Sequence, residues 1–217
     1  MAERSGTFRV YRIVEAVPQY NLQSVGSPTL YTVYRSGYAD DIQASVEELR
    51  TGDRIEATLS GDPDAESEPW RLTAVDRLDG VEMGFAVDAA PPEIARDAWV
   101  PGSSEPICIP LTDEGETVGV CCLQPRDPLP NGAFVPNVLA GLLPLEPQFR
   151  EIPRVGEPAA EALFVDPDPP DASSYSTPYG VVLLFSAAGR AVADRFRETY
   201  GCHRGTDTRP EFDPYGI

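Results

Sequence analysis

Four cysteines and a single histidine are the residues whose chemistry is easiest to name. Cys108, Cys121 and Cys122 stand near the middle of the chain, and Cys202 directly precedes His203. A thiol becomes a nucleophile when a base takes its proton, so Cys121 or Cys122 with His203 would be the components of a thiol–histidine enzyme. Cys108, Cys121, Cys202 and His203 are also the ligand types that zinc prefers, and zinc is the one cofactor this reading admits. Spacing supports neither idea. No pair has the short knuckle spacing of a zinc site, and adjacent cysteines on a strand point to opposite faces. Cysteine is also a compact apolar filler, and packing is the simpler reading of Cys108, Cys121 and Cys122. His203 follows a predicted helix, where the dipole favours a cation.

A second constellation lies in the first 38 residues. They carry four arginines against two glutamates, in a chain whose overall charge is −18. Tyr11, Tyr20, Tyr31, Tyr34 and Tyr38 fall in the same stretch. Arginine interleaved with aromatics on strands suits single-stranded nucleic acid, because bases stack on rings and guanidinium groups hold phosphates. The candidate residues are Arg9, Tyr11, Tyr31, Tyr34 and Arg35. Strand alternation sets Arg9 with Tyr11 and Tyr31 with Arg35, but turns Tyr34 to the opposite face. The plainer alternative makes the tyrosines core and pairs the arginines with nearby carboxylates.

The remaining motifs exclude more than they suggest. Asp62, Asp64, Glu66 and Glu68 alternate like cation ligands, but the loop lacks the central glycine and final glutamate of an EF-hand. No nucleophile elbow, phosphate-binding glycine loop, dinucleotide fingerprint or zinc-protease helix is present.

All 17 basic residues are arginine, against 35 acids. Carboxylate and guanidinium heads carry much polar surface per atom, and such a coat stays hydrated when water is scarce. Its self-repulsion loosens a fold in dilute buffer and is screened away in concentrated salt. This acidic, lysine-free composition resembles that of small cytoplasmic proteins of extremely halophilic archaea. The resemblance covers the whole length and implies a salty cytoplasm without implying an activity. The first twelve residues have no apolar export segment, and no run approaches the ~20 apolar residues of a membrane helix, so no membrane partner is expected.

The elements that must position these residues are mostly strands. Thr7–Val14, Leu30–Arg35, Asp53–Leu59, Trp70–Leu78 and Gly80–Val87 alternate polar and apolar types between turn residues. One short helix interrupts them, with Asp41 as cap, Ile42, Val46 and Leu49 as its apolar stripe and Gly52 as its stop. Pro91–Trp99 reads as a short helix, and Ile107–Leu111 with Thr117–Leu123 as a hairpin turning at Asp113-Glu114-Gly115. Val135–Leu143 is a buried apolar turn or an adaptor surface for another protein. Ala162–Val165 and the continuous apolar Val181–Phe185 are strands, the second buried on both faces. A helix follows, capped by Ser186, with Ala188, Val192, Phe196 and Tyr200 inward, Arg190, Asp194, Arg197 and Glu198 outward, and Gly201 ending it.

The expected fold is β-rich α+β. An N-terminal small barrel or curled antiparallel sheet, for which an OB-like topology is one candidate, spans residues 1–90. A proline-rich segment with a hairpin spans 91–150, and a sheet–helix unit spans 151–217. The expected function is a non-enzymatic binding or assembly module, with single-stranded nucleic acid or another protein as partner and no cofactor. The thiol–histidine or zinc-site enzyme is the alternative.

Overall fold

The computed structural model describes residues 1–65 and 68–214. It is α+β and strand-rich, with two five-stranded sheets, and the chain divides into two compact units. The first comprises Met1–Gly80 with Leu139–Pro144, and the second Val81–Val138 with Leu145–Ile217. Residues 81–90, read from the sequence with the first module, therefore belong to the second, as does most of the proline-rich middle segment.

In the first unit β1 (Ala2–Tyr11), β2 (Gln19–Ser24), β3 (Leu30–Tyr34), β4 (Asp53–Gly61) and β5 (Arg71–Gly80) form an antiparallel sheet in the order β3-β2-β1-β4-β5. Helix α1 (Asp40–Glu47) lies between β3 and β4 in sequence. Alternation sends Phe8, Val10, Tyr20, Leu22, Ile55, Ala57 and Leu59 to one face, where α1 closes the core with Val46 and, just after the helix, Leu49. The sheet curls until its outer strands meet at one point. Val33 bridges Trp70 in parallel, with Tyr34 N donating to Trp70 O at 3.2 Å and Trp70 N to Thr32 O at 2.8 Å. A single bridge is less than a ladder, so the sheet is curled rather than closed. Two details of the predicted helix differ. It begins at Asp40 with Ala39 as an N-cap that makes no side-chain bond, and it ends before Glu48, well short of Gly52.

The opposite face of this sheet carries Arg9, Tyr11, Asn21, Gln23 and Thr32. It is covered in part by the Leu139–Pro144 segment, whose carbonyls accept from two side chains of β2. Asn21 Nδ2 donates to Ala140 O at 2.9 Å and Gln23 Nε2 to Gly141 O at 3.2 Å. Gly141 has φ +73°, and a Cβ there would come within 2.9 Å of the Tyr11 ring, so the close approach demands glycine.

In the second unit β6 (Glu82–Val87), α2 (Glu93–Ala98), β7 (Ile107–Asp113), β8 (Glu116–Pro125), α3 (Val135–Leu139), α4 (Glu146–Arg150), β9 (Glu161–Asp166), β10 (Tyr179–Phe185) and α5 (Arg190–Tyr200) follow in order. The sheet runs β6-β9-β10-β8-β7, antiparallel except for the parallel pair β6 and β9. Strand β10 is central and every residue in it is buried, as its uninterrupted apolar run predicts. Val181, Leu183 and Phe185 pack with Cys121, Leu123, Val192 and Ala193, and Phe196 and Tyr200 lean on that cluster. Gly201 ends α5 in the left-handed conformation at φ +65°. Ser186 is not the helix cap; its hydroxyl donates to Val118 O at 3.2 Å, and a short 3₁₀ turn intervenes before α5. Arg197, expected at the solvent face, is buried. Its Nε donates to Glu161 Oε2 at 2.6 Å, and its other nitrogens to Cys202 O and Glu82 O.

Candidate binding surfaces

The five arginine and tyrosine candidates separate into three environments. Arg9 and Tyr11 are 3% and 0% exposed. Arg9 Nη1 donates to Gly52 O at 2.8 Å, and the Tyr11 ring lies against the Leu139–Pro144 segment. Tyr31 packs edge-on between Phe8 and Trp70, with ring centroids 5.8 and 5.3 Å away, at the margin of the core. Tyr34 and Arg35 are partly exposed at the end of β3. The structure thus buries Arg9 and Tyr11 and leaves Tyr31, Tyr34 and Arg35 partly exposed, with Tyr34 against Arg71 and Arg35 over Tyr20.

Tyr38, from the same tyrosine-rich stretch, and Arg71, which the sequence did not single out, complete a surface around Tyr34. Arg71, exposed at the start of β5, holds its guanidinium 5.3 Å from the Tyr34 ring centroid and 5.1 Å from that of Tyr38. Tyr38 is fixed by its hydroxyl, which donates to Tyr34 O at 2.6 Å. Burial raises its pKa, with Arg71 opposing. Arg71 also donates to Gly37 O. Among the described residues it has no carboxylate partner. Arg35 lies 5.8 Å over the Tyr20 ring and pairs with Glu15 at 3.3 Å. Slight burial would raise the Glu15 pKa, but Arg12 and Arg35 outweigh it and hold the carboxyl low. The connection from β4 to β5 exposes Asp62, Asp64 and Glu68 beside this surface in sequence; Glu66 of the predicted acidic loop lies outside the described residues.

The sulfur constellation resolves differently. Cys108 and Cys122 are directly opposed on β7 and β8 and form a disulfide. The packing reading fails for these two, because cross-strand alignment makes them a covalent pair. Cys121 points to the other face of β8 and is fully buried in the core beside α5, which matches packing. Burial pushes its pKa up to about 12, leaving almost no thiolate at neutral pH. Cys202 is buried too, its pKa raised chiefly by burial, with its Sγ 3.3 Å from Phe85 O, while His203 is exposed. Cys108, Cys121, Cys202 and His203 do not gather, and among the described residues no group of three or more His, Cys, Asp or Glu side chains is placed to hold a metal.

Val135–Leu143 spends most of its apolar surface inside the chain: Val135, Val138, Leu139 and Leu143 are at most 2% exposed, and Leu142 alone is open at 52%.

The second unit also holds an open cleft of 540 Å³ lined by Trp99, Ser103, Ser104, Arg126, Asp127 and Tyr175, among others. Arg126 is 6% exposed and stacks 4.1 Å from the Tyr175 ring centroid. Its Nε donates to Thr177 O at 2.7 Å, its Nη1 to Gly132 O at 3.0 Å, and its Nη2 to both Asp166 and Asp168. Asp168 also accepts from Ser176 N and Oγ and from Thr177 N, closing the loop between β9 and β10. Burial would raise the Asp168 pKa, but these hydrogen bonds and the Arg126 charge outweigh it and hold the carboxyl below its usual range.

Among the described residues no helix is long and apolar enough to cross a membrane. Comparison with protein-family models, with curated proteins and with solved structures returns no match for this chain.

Proposed function

We propose that the chain is a non-enzymatic binding module of a salt-rich cytoplasm, whose first unit takes single-stranded nucleic acid by stacking rather than by charge. The observation that carries this reading is the Arg71 guanidinium shared by the Tyr34 and Tyr38 rings, on the partly exposed end of β3. Stacked rings with an arginine give sequence-tolerant platforms for bases. The scaffold supports it. Five antiparallel strands, a helix between the third and fourth, and a parallel meeting of the third and fifth make an OB-like connectivity, in which the face of the second and third strands and the loops joining strands one to two and four to five engage oligonucleotides.

Charge works against such a ligand in dilute buffer, because the whole chain carries −18. At roughly 1 M salt the screening length is about 3 Å, so repulsion is lost while stacking persists. Affinity should therefore hold or rise between dilute and molar potassium chloride, opposite to the steep loss that counterion release gives a basic protein. The test is fluorescence anisotropy with a labelled oligothymidylate. Arg71→Ala and Tyr34→Ala should each weaken binding by about 1–3 kcal/mol with an unchanged circular dichroism spectrum. Absence of binding in molar salt, or an Arg71→Ala protein equal to the wild type, would remove the proposal.

A further inference from the structure

We propose that the cleft of the second unit is a binding site for a small organic cation bearing an oxygen that accepts a hydrogen bond. The cleft shares no residue with the surface around Tyr34. At 540 Å³ the cleft is in the size range of small-molecule sites. Its sign follows from charge balance. One buried guanidinium, Arg126, faces two buried carboxylates, Asp166 and Asp168, leaving an excess negative charge beneath the cleft. Asp127 adds an exposed carboxylate to the wall. An arginine at a pocket ordinarily suggests an anion, but this one is already overcompensated, so a phosphate or carboxylate ligand would be repelled. A cation is attracted by the excess charge, and the aromatic side chains of Trp99 and Tyr175 line the same cleft.

Arg126 also indicates what else the ligand carries. A guanidinium has five N–H donors. Thr177 O, Gly132 O, Asp166 and Asp168 take four of them, which leaves one Nη1 donor without an acceptor among the described residues. That group is nine-tenths buried and lines the cleft, so an oxygen on the ligand is its natural partner.

Choline has the required features and is the probe. Calorimetric titration in molar potassium chloride compares it with two isosteres in which carbon replaces nitrogen: dimethylbutanol, which is uncharged, and dimethylbutanoate, which is an anion. Choline should bind roughly tenfold or more tightly than dimethylbutanol, and dimethylbutanoate should not bind. Asp127→Asn should weaken choline several-fold while leaving dimethylbutanol unchanged, and Tyr175→Leu should weaken choline as well. Three results would each overturn the proposal: no heat with choline, equal affinity for choline and dimethylbutanol, or wild-type choline affinity in both variants. Oligonucleotide binding by the first unit is unaffected by any of these outcomes.

Discussion

Glu161 is the hub of one of the second unit's buried ion-pair networks. Its Oε2 accepts from Arg197 Nε at 2.6 Å and from Arg204 Nε at 3.0 Å, and its Oε1 accepts from Arg204 Nη2. Glu161 and Arg197 are both nearly excluded from water. Removing one member of a buried ion pair leaves the other charge uncompensated, which costs about 3–5 kcal/mol. Glu161→Gln should lower the urea midpoint in molar salt accordingly. Asp194 binds the same Arg204 from the exposed end of the network, and Asp194→Asn should leave the midpoint close to wild type. A Glu161→Gln protein as stable as its parent would show that hydrogen bonding alone suffices there. None of this was legible in the sequence. Arg197 belongs to the polar stripe of a well-formed amphipathic helix, and the rule that sends such residues to solvent fails because Glu161, 36 positions earlier, waits on β9. The candidate surface has the same character. Tyr34 could be read from strand composition, whereas Arg71 reaches it only through a strand pairing remote in sequence.

Elements were more legible than the contacts between them. The β7–β8 hairpin, β10 and α5 carry strong local signals: a turn at Asp113-Glu114-Gly115, an unbroken apolar run and a stripe with a glycine stop. Strand β2 has none. Its core-facing residues are only Tyr20 and Leu22, and its Asn21 and Gln23 look like loop until the Leu139–Pro144 carbonyls that accept from their amide nitrogens are seen. The hairpin also yields a test. Its disulfide closes a loop across 14 residues, worth about 3 kcal/mol in chain entropy. Reduction, or Cys108→Ser with Cys122→Ser, should destabilise the protein by up to that amount. Cys121 and Cys202 should stay closed to alkylation at neutral pH in the folded state. With its pKa near 12, Cys121 offers only about one thiolate in ten thousand at pH 8. Mass spectrometry after native alkylation should therefore find neither thiol labelled, and urea should expose both. Labelling of Cys121 in the native protein would contradict its place in the core.

At the scale of the whole molecule the controlling quantity is the charge of −18 on 217 residues with no lysine. Two cores and the buried ion pairs favour the folded chain, and the carboxylate coat opposes it. The ion pairs at Arg126 and Glu161 are shielded by burial, so added salt leaves them nearly intact. The exposed carboxylates respond in full. In 0.1 M salt charges interact over about 10 Å, and in 1 M over about 3 Å, so only the unfavourable contribution is removed. The melting temperature should climb steeply between dilute and molar potassium chloride and then flatten. Salt also strengthens apolar burial, and that contribution must be separated. Sucrose at matched water activity reproduces exclusion from the surface without screening. It should recover only a small part of the gain, and neutralising exposed acids such as Asp62, Asp64 and Asp171 should flatten the salt curve while raising its dilute end. A melting temperature independent of salt, or one restored equally by sucrose, would mean that the acidic surface is incidental to folding. A salt-adapted binding module, and nucleic acid binding that holds or strengthens in brine, would then have no physical basis.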